Sequence, residues 1–474
     1  MGATSPFIRR SATELASMIR RGEATSAEIV DAHIRHIEAV NPALNAVVKS
    51  RFDEARAEAI EADRRAAKDD KDSLGPFHGV PFTVKESFAL QGMPNTSGLV
   101  ARRGTLARSD APTVARLRRA GAIPLGVTNL SELCMWMESN NRVYGRTNNA
   151  YDQRCTAGGS SGGEGAIVGA GGSPFGLGSD IGGSIRMPAF FNGVFGHKPT
   201  GGLVDNEGQY PIASGAALRY MTPGPLARRA EDLAPIVRAL AGDDAIGDPS
   251  EVPIADLTVT VIEGNGAIAV RGDLLTAIHK AARALAARGA RVRTARVDSL
   301  ARSLEIWSSM LHAAGGPSFR ELLGNGAPFS MPREIVRWTR GRSPHTFPAL
   351  ALALLEELPA LLSSQSGRFI ELGKALLTEI QDLLGPCGVL LYPPYPTPAP
   401  RHYKPLFPPF NWVYTAIWNV LELPVTQAPL GRGAEGLPLG VQIVGAPGQD
   451  GVTIAVAIEL EQAFGGWTPP PLAR

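Results

Sequence analysis

Hydrophobic residues recur at helical spacing along the first part of the chain. Ser11, followed three residues later by Glu14, is typical of a capped helix start. Two further helices are predicted, one beginning near Thr25 and one near Arg51, and the latter is charged and rich in alanine. We therefore predict a helical N-terminal part over residues 8–72.

After Pro76 the pattern changes to short apolar segments that alternate with helical ones. The segments predicted as strands are 79–86, 122–129 and 173–180. Helices are predicted between them over residues 113–121 and 163–171. Because strands and helices alternate, the predicted fold class is α/β, with a β-sheet covered by helices on both faces.

The region from about residue 244 to 384 is mostly helical. Only residues 257–263 and 291–297 read as strands within it, which is consistent with an insertion or a cap over the sheet. The sheet resumes after this region with the segments GVLLYPPYP and LPLGVQIVG. No repeat or low-complexity linker interrupts the chain, so a single domain over residues 1–474 is predicted.

The composition is that of an ordinary soluble globular protein. Of the 474 residues, 44% are hydrophobic and 19% are charged, and the net charge is +2. So small a charge argues against an extended nucleic-acid-binding surface, and no nucleic-acid partner is expected. Cys134, Cys155 and Cys387 have no metal-ligand spacing and are interpreted as reduced thiols.

No segment of the sequence is predicted to cross a membrane or to direct export. The N-terminal residues lack the apolar stretch of a signal peptide, and no run of about 18 uncharged apolar residues occurs. The nearest candidate, residues 348–362, contains two glutamates and an internal proline. A soluble, cytoplasmic protein is therefore expected, and contact of this segment with a membrane surface is the less favoured alternative.

The stretch TAGGSSGGEGA, residues 156–166, places two serines between pairs of glycines. A phosphate-binding loop would need a lysine followed by serine or threonine after the glycines, whereas Glu164 follows here and would repel phosphate. The stretch also satisfies G-x-S-x-G, the nucleophile turn of α/β-hydrolases, which would require an acid and a histidine further along. A third interpretation is a tight turn whose serines cap the next helix.

Two further features bear on the choice between these interpretations. Ser184 lies in a second glycine-rich turn, GLGSDIGGSIRMP, which follows a predicted strand. Lys85 lies at the end of the predicted strand GVPFTVKE and follows mostly apolar residues, so its side chain can point into the fold.

Together these motifs resemble the amidase signature family, which is marked by GGSSGG, a later glycine-flanked serine and an upstream lysine. The resemblance extends from about Ser11 to Trp467, and its main pieces are GVPFTVKE, GAIPLGVTN, TAGGSSGGEGA, GLGSDIGGSIRMPAFFNGVFGHKPT and LPLGVQIVG. Within the family, QGMPNTSGL, SELCMWMES and LPVTQAPLG are most similar to fatty-acid amide hydrolases of the second type. The resemblance implies a single domain built on a twisted mixed β-sheet.

The resemblance also assigns catalytic roles. It implies that Ser184 is the nucleophile, that Ser160 is a bridging serine preceded by a cis peptide bond, and that Lys85 is the base. It further implies that Ser161 forms hydrogen bonds that orient its neighbours.

Lys85 can accept a proton only when it is neutral. At an ordinary pKa of ~10.4 about 1 lysine in 2,500 is neutral at pH 7, whereas a pKa of ~8 raises this to roughly one in ten. Burial lowers the pKa of a lysine because desolvation penalises the charged form. The apolar strand that leads to Lys85 is consistent with such burial.

The second glycine-rich turn is predicted to stabilise the oxyanion of a tetrahedral intermediate. Its backbone N–H groups can converge on one point because glycines permit a sharp bend. The predicted donors are Ile181, Gly182, Gly183 and Ser184. Asp180 and Arg186 flank the turn, and a structural ion pair and direct help to catalysis are equally open interpretations of them.

By resemblance, the segment SELCMWMES borders the acyl site. Four of its residues are predicted to bind substrate, because methionines suit a flexible apolar channel. They are Cys134, Met135, Trp136 and Met137. Ordinary core packing is the alternative for each of them.

The sequence thus predicts a serine amidase that hydrolyses a carboxamide with an apolar acyl group through an acyl-enzyme. Its partner is a small-molecule amide, and no metal or organic cofactor is expected because neither ligand spacing nor a dinucleotide motif is present. The nearest alternative is the amidase subunit of a tRNA-dependent amidotransferase. An α/β-hydrolase esterase and a non-catalytic binding protein are distant alternatives, and homodimer formation is left open.

Overall fold

One large sheet organises the fold. The computed structural model describes residues 5–355 and 366–473, and eleven strands within them form this sheet. In chain order the strands are β1 (Val47–Ser50), β2 (Pro81–Lys85), β3 (Ile123–Thr128), β4 (Phe175–Asp180), β5 (Phe195–Lys198), β6 (Thr222–Ala227), β7 (Thr258–Val261), β8 (Arg291–Thr294), β9 (Gly388–Tyr392), β10 (Val425–Arg432) and β11 (Pro438–Val444). Across the sheet the order is β1-β3-β2-β4-β6-β5-β10-β11-β9-β7-β8. A separate two-stranded ribbon joins Asn140–Asn141 to Gly145–Arg146.

The sheet is mixed. Strand β2 runs parallel to both β3 and β4, and β7 runs parallel to both β8 and β9. The other neighbouring strands are antiparallel. The predicted α/β fold built on a mixed sheet is therefore confirmed.

Helices connect the strands, with short 3₁₀ turns between several of them. In chain order the helices are α1 (Ala12–Arg21), α2 (Ser26–Leu44), α3 (Phe52–Lys68), α4 (Pro112–Arg119), α5 (Gly162–Gly169), α6 (Arg186–Phe191), α7 (Ala217–Tyr220), α8 (Leu233–Ala241), α9 (Gly272–Ala287), α10 (Ser303–Ala313), α11 (Phe319–Gly324), α12 (Met331–Thr339), α13 (Phe347–Leu355), α14 (Ser366–Leu384), α15 (Val413–Val420) and α16 (Asp450–Phe464).

Alternate residues of β9 show that helices cover both faces of the sheet. Val389 and Leu391 belong to a core cluster that contains residues of α9 and α16. Leu390 and Tyr392 belong to another cluster, which contains residues of α14 and α15. Successive side chains of a strand point to opposite faces, so helices pack on each side of the sheet.

The predicted helix starts of the N-terminal part are observed. The Ser11 hydroxyl accepts a hydrogen bond from the backbone N–H of Glu14, and Gly22 ends α1 in the left-handed conformation. Thr25 forms a capping box with Glu28 at the start of α2. The third helix, α3, buries only three alanines, which agrees with the predicted solvation.

The strands predicted from the apolar segments are all present, with shorter bounds, but β1, β5, β6 and β10 are not predicted by the pattern. Strand β6 contains Pro223 and Pro225, which usually argue against an interior strand. It pairs with β4 along its whole length but with β5 only at Leu226 and Ala227. Both prolines therefore lie outside the ladder with β5, which makes them tolerable.

The region over residues 244–384 contains α9 to α14 together with β7 and β8. Of the apolar segment 348–362, the residues up to Leu355 belong to α13, and residues 356–362 lie outside the described residues. No helix within residues 5–355 and 366–473 has the length and apolar character needed to cross a membrane. The single domain stays a prediction, supported by one sheet that contains strands from both ends of the chain.

Candidate active site

The carboxyl ends of three parallel strands meet at one edge of the sheet. Strand β2 ends at Lys85, β3 at Thr128 and β4 at Asp180. In open α/β sheets, ligands commonly bind at the carboxyl ends of the strands. The predicted catalytic residues lie at this edge, where two glycine-rich segments approach Lys85.

Lys85 and Ser160 are in direct contact. Lys85 Nζ lies 2.7 Å from Ser160 Oγ and 3.0 Å from Ser179 Oγ, and both Lys85 and Ser160 are fully buried. Ser160 follows a cis peptide bond from Gly159, as the resemblance implies. A Cβ atom at position 159 would lie 2.4 Å from the carbonyl oxygen of Trp136, so only glycine fits there.

Burial shifts the pKa of Lys85. Desolvation lowers the pKa of Lys85 from its ordinary value, because the buried ammonium loses its hydration. The neighbouring Cys134 thiol and the carboxyl groups of Asp180 and Glu164 oppose this shift. A lowered pKa is what a lysine needs to act as a base near neutral pH.

Ser184 lies in the turn after β4 and is 8% exposed. Its carbonyl accepts a hydrogen bond from the Ser161 N–H at 3.2 Å, whereas its hydroxyl has no hydrogen-bond partner within residues 5–355 and 366–473. The structure thus joins Lys85 to Ser160 directly and places Ser184 on the adjacent turn. It records no hydrogen bond between the hydroxyls of Ser160 and Ser184.

Asp180 holds the second glycine-rich turn. Its carboxylate accepts a hydrogen bond from the backbone N–H of Gly183 at 2.7 Å. The backbone N–H groups of Ile181, Gly182 and Ser184 have no partner in the described part of the chain. Of the four predicted oxyanion donors, Gly183 thus already has a partner, whereas the other three are free to bind a ligand; their role as donors stays a prediction.

Asp180 and Arg186 form a fully buried bidentate ion pair, with nitrogen–oxygen distances of 2.9 and 3.0 Å. Burial alone would raise the pKa of Asp180, but the guanidinium and its other hydrogen bonds hold that pKa well below the ordinary range. Arg186 also donates to the carbonyl of Thr415 and to the side chains of Asn419 and Gln442. This arrangement ties the turn to α15 and β11, as a structural ion pair would.

A second buried carboxyl group lies near Lys85. Glu164, on α5, accepts hydrogen bonds from Thr83 at 2.5 Å and from Thr128 at 2.7 Å. Burial raises the pKa of Glu164 to about 8, although both hydrogen bonds oppose the shift. Glu164 is therefore largely protonated at neutral pH, and it stands after the glycines where a phosphate-binding loop needs a lysine.

The capping interpretation of the two serines is wrong. Ser161 occupies the N-cap position of α5, but its side chain forms no capping hydrogen bond. Its Oγ lies 3.3 Å from the carbonyl oxygen of Ser179 instead. Together with the contact between its N–H and the Ser184 carbonyl, this is consistent with the predicted orienting role. In the described part of the chain no histidine is bonded to Ser160 or Ser184, so the α/β-hydrolase arrangement has no support.

Comparison with known proteins identifies the family. The profile of the family described as Amidase matches residues 28–454. Fatty-acid amide hydrolase 2-A of Danio rerio is 48% identical over 486 residues, an alignment that covers 98% of this chain and 91% of that protein. The chain belongs to the amidase signature family. It is accordingly a hydrolase that acts on amide bonds.

Two further proteins are similar to this amidase. Fatty-acid amide hydrolase 2 of Homo sapiens is 45% identical over 485 residues, covering 98% of this chain and 91% of that protein. The structure of 6-aminohexanoate cyclic dimer hydrolase complexed with substrate superposes with a TM-score of 0.80 at 27% identity. That superposition covers 99% of the amidase and 100% of the solved chain, so the fold agrees over its whole length.

The predicted substrate-binding residues of the amidase lie in different surroundings. Cys134 lies beside Lys85, close enough to influence its charge. Met135 packs in a cluster with apolar residues of α11, α12 and α13. Trp136 and Met137 pack with the main core, and Met137 is buried. Met135 therefore lies beside α11, α12 and α13, whereas Met137 is part of the buried core beside the sheet. Whether these side chains bind substrate stays a prediction.

Three residues at the site of this amidase are not predicted by the sequence. Ser179 contacts the buried lysine, and its place near the end of β4, parallel to β2, is a signal that points to it. Nε1 of Trp307 donates to the Ile181 carbonyl at 3.1 Å, and Thr415 Oγ1 lies 2.8 Å from the Gly182 carbonyl oxygen. No local pattern marks Trp307 or Thr415, because both are distant in sequence from the turn.

Proposed function

We propose that this protein is a serine amidase in which Lys85, Ser160 and Ser184 hydrolyse a carboxamide through an acyl-enzyme. The observation that carries the proposal is the distance of 2.7 Å between Lys85 Nζ and Ser160 Oγ. Both side chains are fully buried, and Ser184 lies on the adjacent turn. A buried amine with a lowered pKa beside a serine hydroxyl has the position and the charge of a general base.

The proton moves in two steps. Neutral Lys85 accepts the proton of the Ser160 hydroxyl, and Ser160 accepts that of Ser184 as the Ser184 oxygen attacks the carbonyl carbon. Ser179 accepts one N–H of the amine, which leaves the nitrogen lone pair free for Ser160. When the tetrahedral intermediate collapses, the proton returns along the same path to the leaving nitrogen. A water molecule then attacks the acyl-enzyme and releases the carboxylic acid.

The N–H groups of Ile181, Gly182 and Ser184 stabilise the negative charge that develops on the carbonyl oxygen. Asp180 supports this role because it fixes the turn through Gly183. Removing one such donor costs ~3–4 kcal/mol of transition-state stabilisation in well-studied hydrolases.

The acyl group of the substrate is apolar. Support comes from the relatives named fatty-acid amide hydrolase 2 and from the apolar cluster around Met135. Two tryptophans also border the second glycine-rich turn, residues 181–184, which we call the oxyanion turn. A Cβ atom at Gly182 would lie within 3.9 Å of both Trp307 and Trp412. Apolar walls favour an apolar acyl chain because they withdraw its surface from water.

An activity panel of primary amides of increasing acyl length tests this proposal, with glutamine as a polar amide and Ser184→Ala as the blank. Each buried methylene contributes ~0.8 kcal/mol, so kcat/KM should rise about fourfold per carbon until the pocket is filled. A flat profile from acetamide upward would contradict the apolar acyl group. Preferential hydrolysis of glutamine would instead favour the amidase subunit of an amidotransferase.

Cellular location and assembly state are separate questions. A cytoplasmic location stays a prediction from the sequence. Sedimentation of the purified protein measures its assembly state, for which a homodimer is one option.

A further inference from the structure

The carbonyl group of Ile181 accepts a hydrogen bond that no step of the proposed reaction uses. The donor is Nε1 of Trp307, at 3.1 Å. Trp307 lies on α10, within the mostly helical region over residues 244–384, and is 126 residues away from Ile181 in the sequence. A contact between such distant elements at the oxyanion turn calls for a physical explanation.

The carbonyl of Ile181 and the N–H of Gly182 belong to the same peptide group. The cis peptide bonds among the described residues are Gly159–Ser160, Tyr210–Pro211 and Phe407–Pro408, so this peptide is trans. In a planar trans peptide, the C=O and N–H groups point in opposite directions. A hydrogen bond that fixes the Ile181 carbonyl therefore also fixes the direction of the Gly182 N–H.

The following peptide group already has a partner for its N–H group. Thr415 Oγ1 lies 2.8 Å from the Gly182 carbonyl oxygen, and the Gly183 N–H donates to Asp180 at 2.7 Å. The peptide between Ile181 and Gly182 is different, because Trp307 holds its carbonyl end while the Gly182 N–H has no partner in the described chain. Of these two peptide groups, only this one presents a free donor to a ligand.

Trp307 is itself held in one orientation. Its ring packs edge-to-face on Trp412, with centroids 4.7 Å apart. A Cβ atom at Gly182 would lie 3.9 Å from Trp307 and 3.8 Å from Trp412, so both rings stand directly against the turn. Edge-to-face packing restricts how the rings can tilt, and the indole N–H consequently keeps its direction towards Ile181.

We propose that Trp307 is a positioning residue for the oxyanion hole: its indole N–H orients the Ile181–Gly182 peptide so that the Gly182 N–H points at the developing oxyanion. The hydrogen bond also polarises the peptide group, which makes the N–H a stronger donor. This inference rests on the proposed function, because it assigns a role at the same site. It also gives α10 a part in catalysis beyond packing against α14 and α15.

The test is the variant Trp307→Phe, which keeps an aromatic ring but removes the N–H. The matched control is Trp418→Phe, because Trp418 Nε1 also donates to a backbone carbonyl at 3.1 Å, that of Tyr414 on α15, which is not part of the oxyanion turn. We expect kcat of Trp307→Phe to fall about 10- to 100-fold with KM within about twofold of wild type, since the donor is misdirected rather than deleted. The control should keep kcat within about threefold.

Inhibitor binding distinguishes positioning from general packing. A trifluoromethyl ketone forms a tetrahedral oxyanion adduct with the nucleophile, whereas the product carboxylic acid does not. In Trp307→Phe, the inhibition constant of the ketone should rise by the same factor by which kcat/KM falls, and that of the acid should stay unchanged. Equal weakening of both inhibitors, an unchanged kcat, or the same loss of kcat in Trp418→Phe would overturn the inference.

Replacement of Trp307 by β-(3-benzothienyl)alanine provides a second variant in case Trp307→Phe does not fold. This residue has nearly the same shape as tryptophan but carries sulfur in place of the N–H, and the same loss of kcat is expected. Activity that persists in Ser184→Ala would contradict the proposed function itself. Activity that requires Ser184 but not the indole N–H would overturn only the role of Trp307.

Discussion

Lys85 and Ser160 share a hydrogen bond of 2.7 Å in a place where neither side chain is exposed to solvent. Burial makes the lysine easier to deprotonate, and a serine hydroxyl needs a base before it can act in nucleophilic catalysis. The same burial thus accounts for both the close contact and the lowered pKa on which the proposed proton transfer depends.

Ser184 should carry the covalent intermediate. A fluorophosphonate probe is expected to label Ser184. Ser160 and Ser161 are fully buried, whereas Ser184 is partly exposed and lies beside free backbone N–H groups. Peptide mapping by mass spectrometry locates the label, and Ser184→Ala should lose it. Labelling of Ser160 or Ser161 in the wild-type protein would contradict the assignment.

Lys85→Met should lower kcat/KM by about 10⁴-fold, because the bridging serine loses its base. In the wild-type protein, activity should be lost as the pH falls through an apparent pKa below the ordinary lysine value of ~10.4, since only the neutral amine accepts a proton. Rates measured from pH 5 to 10 check both expectations.

The matched control for Lys85 is Lys198→Met. Lys198 is equally buried, and burial lowers its pKa to about 7, but its amine donates to the carbonyl of Pro199 rather than to a serine. The control should keep kcat/KM within about tenfold of wild type. Comparable losses in both variants would show that any buried lysine of this fold is needed, which would remove the case for Lys85 as the base.

Gly183→Ala should be strongly destabilising. Gly183 has φ +113°, and a Cβ atom there would lie 1.9 Å from Thr415 Oγ1. Gly448→Ala is the control, because Gly448 has φ +80° with open space around it and isolates the cost of the backbone conformation. Chemical denaturation should give a loss of about 1–2 kcal/mol for the control and about 1–3 kcal/mol more for Gly183→Ala. Equal losses would mean that the turn accommodates a side chain.

Glu164→Gln should change how stability depends on pH. The pKa of Glu164 is raised from 4.5 to about 8, so the folded protein binds a proton that the unfolded chain has released. Stability of the wild-type protein therefore falls as the pH rises from about 4.5 through about 8, and this contribution is absent in Glu164→Gln. Between pH 6 and 8 the variant should gain up to about 1.4 kcal/mol per pH unit relative to wild type.

The control for Glu164 is Glu371→Gln, which removes an exposed carboxyl group paired with Lys374. Its unfolding free energy should follow that of the wild-type protein across the same pH range. If the unfolding free energies of Glu164→Gln and the wild-type protein change with pH in parallel, Glu164 is ionised in the folded state and the prediction is wrong.

Much of the local structure could be predicted from the sequence. Helix starts at Ser11 and Thr25 follow from side chains that bond to backbone groups three residues away. The strands that end at Lys85 and Asp180 follow from runs of apolar residues. Strand β6 could not be predicted, because its prolines are tolerated only where a neighbouring strand leaves part of it unpaired.

By itself, the sequence determined the two glycine-rich turns, the strand that carries Lys85 and the family to which they belong, because these depend on residues close together in the chain. Only the tertiary structure decided that Ser179 and Cys134 approach the lysine, that Gly183 is already bonded to Asp180 and that Trp307 donates a hydrogen bond to the carbonyl of Ile181. The physical reason is that burial and hydrogen-bond geometry depend on which distant segments pack together. The same packing that removes water from Lys85 lowers its pKa, and no local pattern of residues encodes that environment.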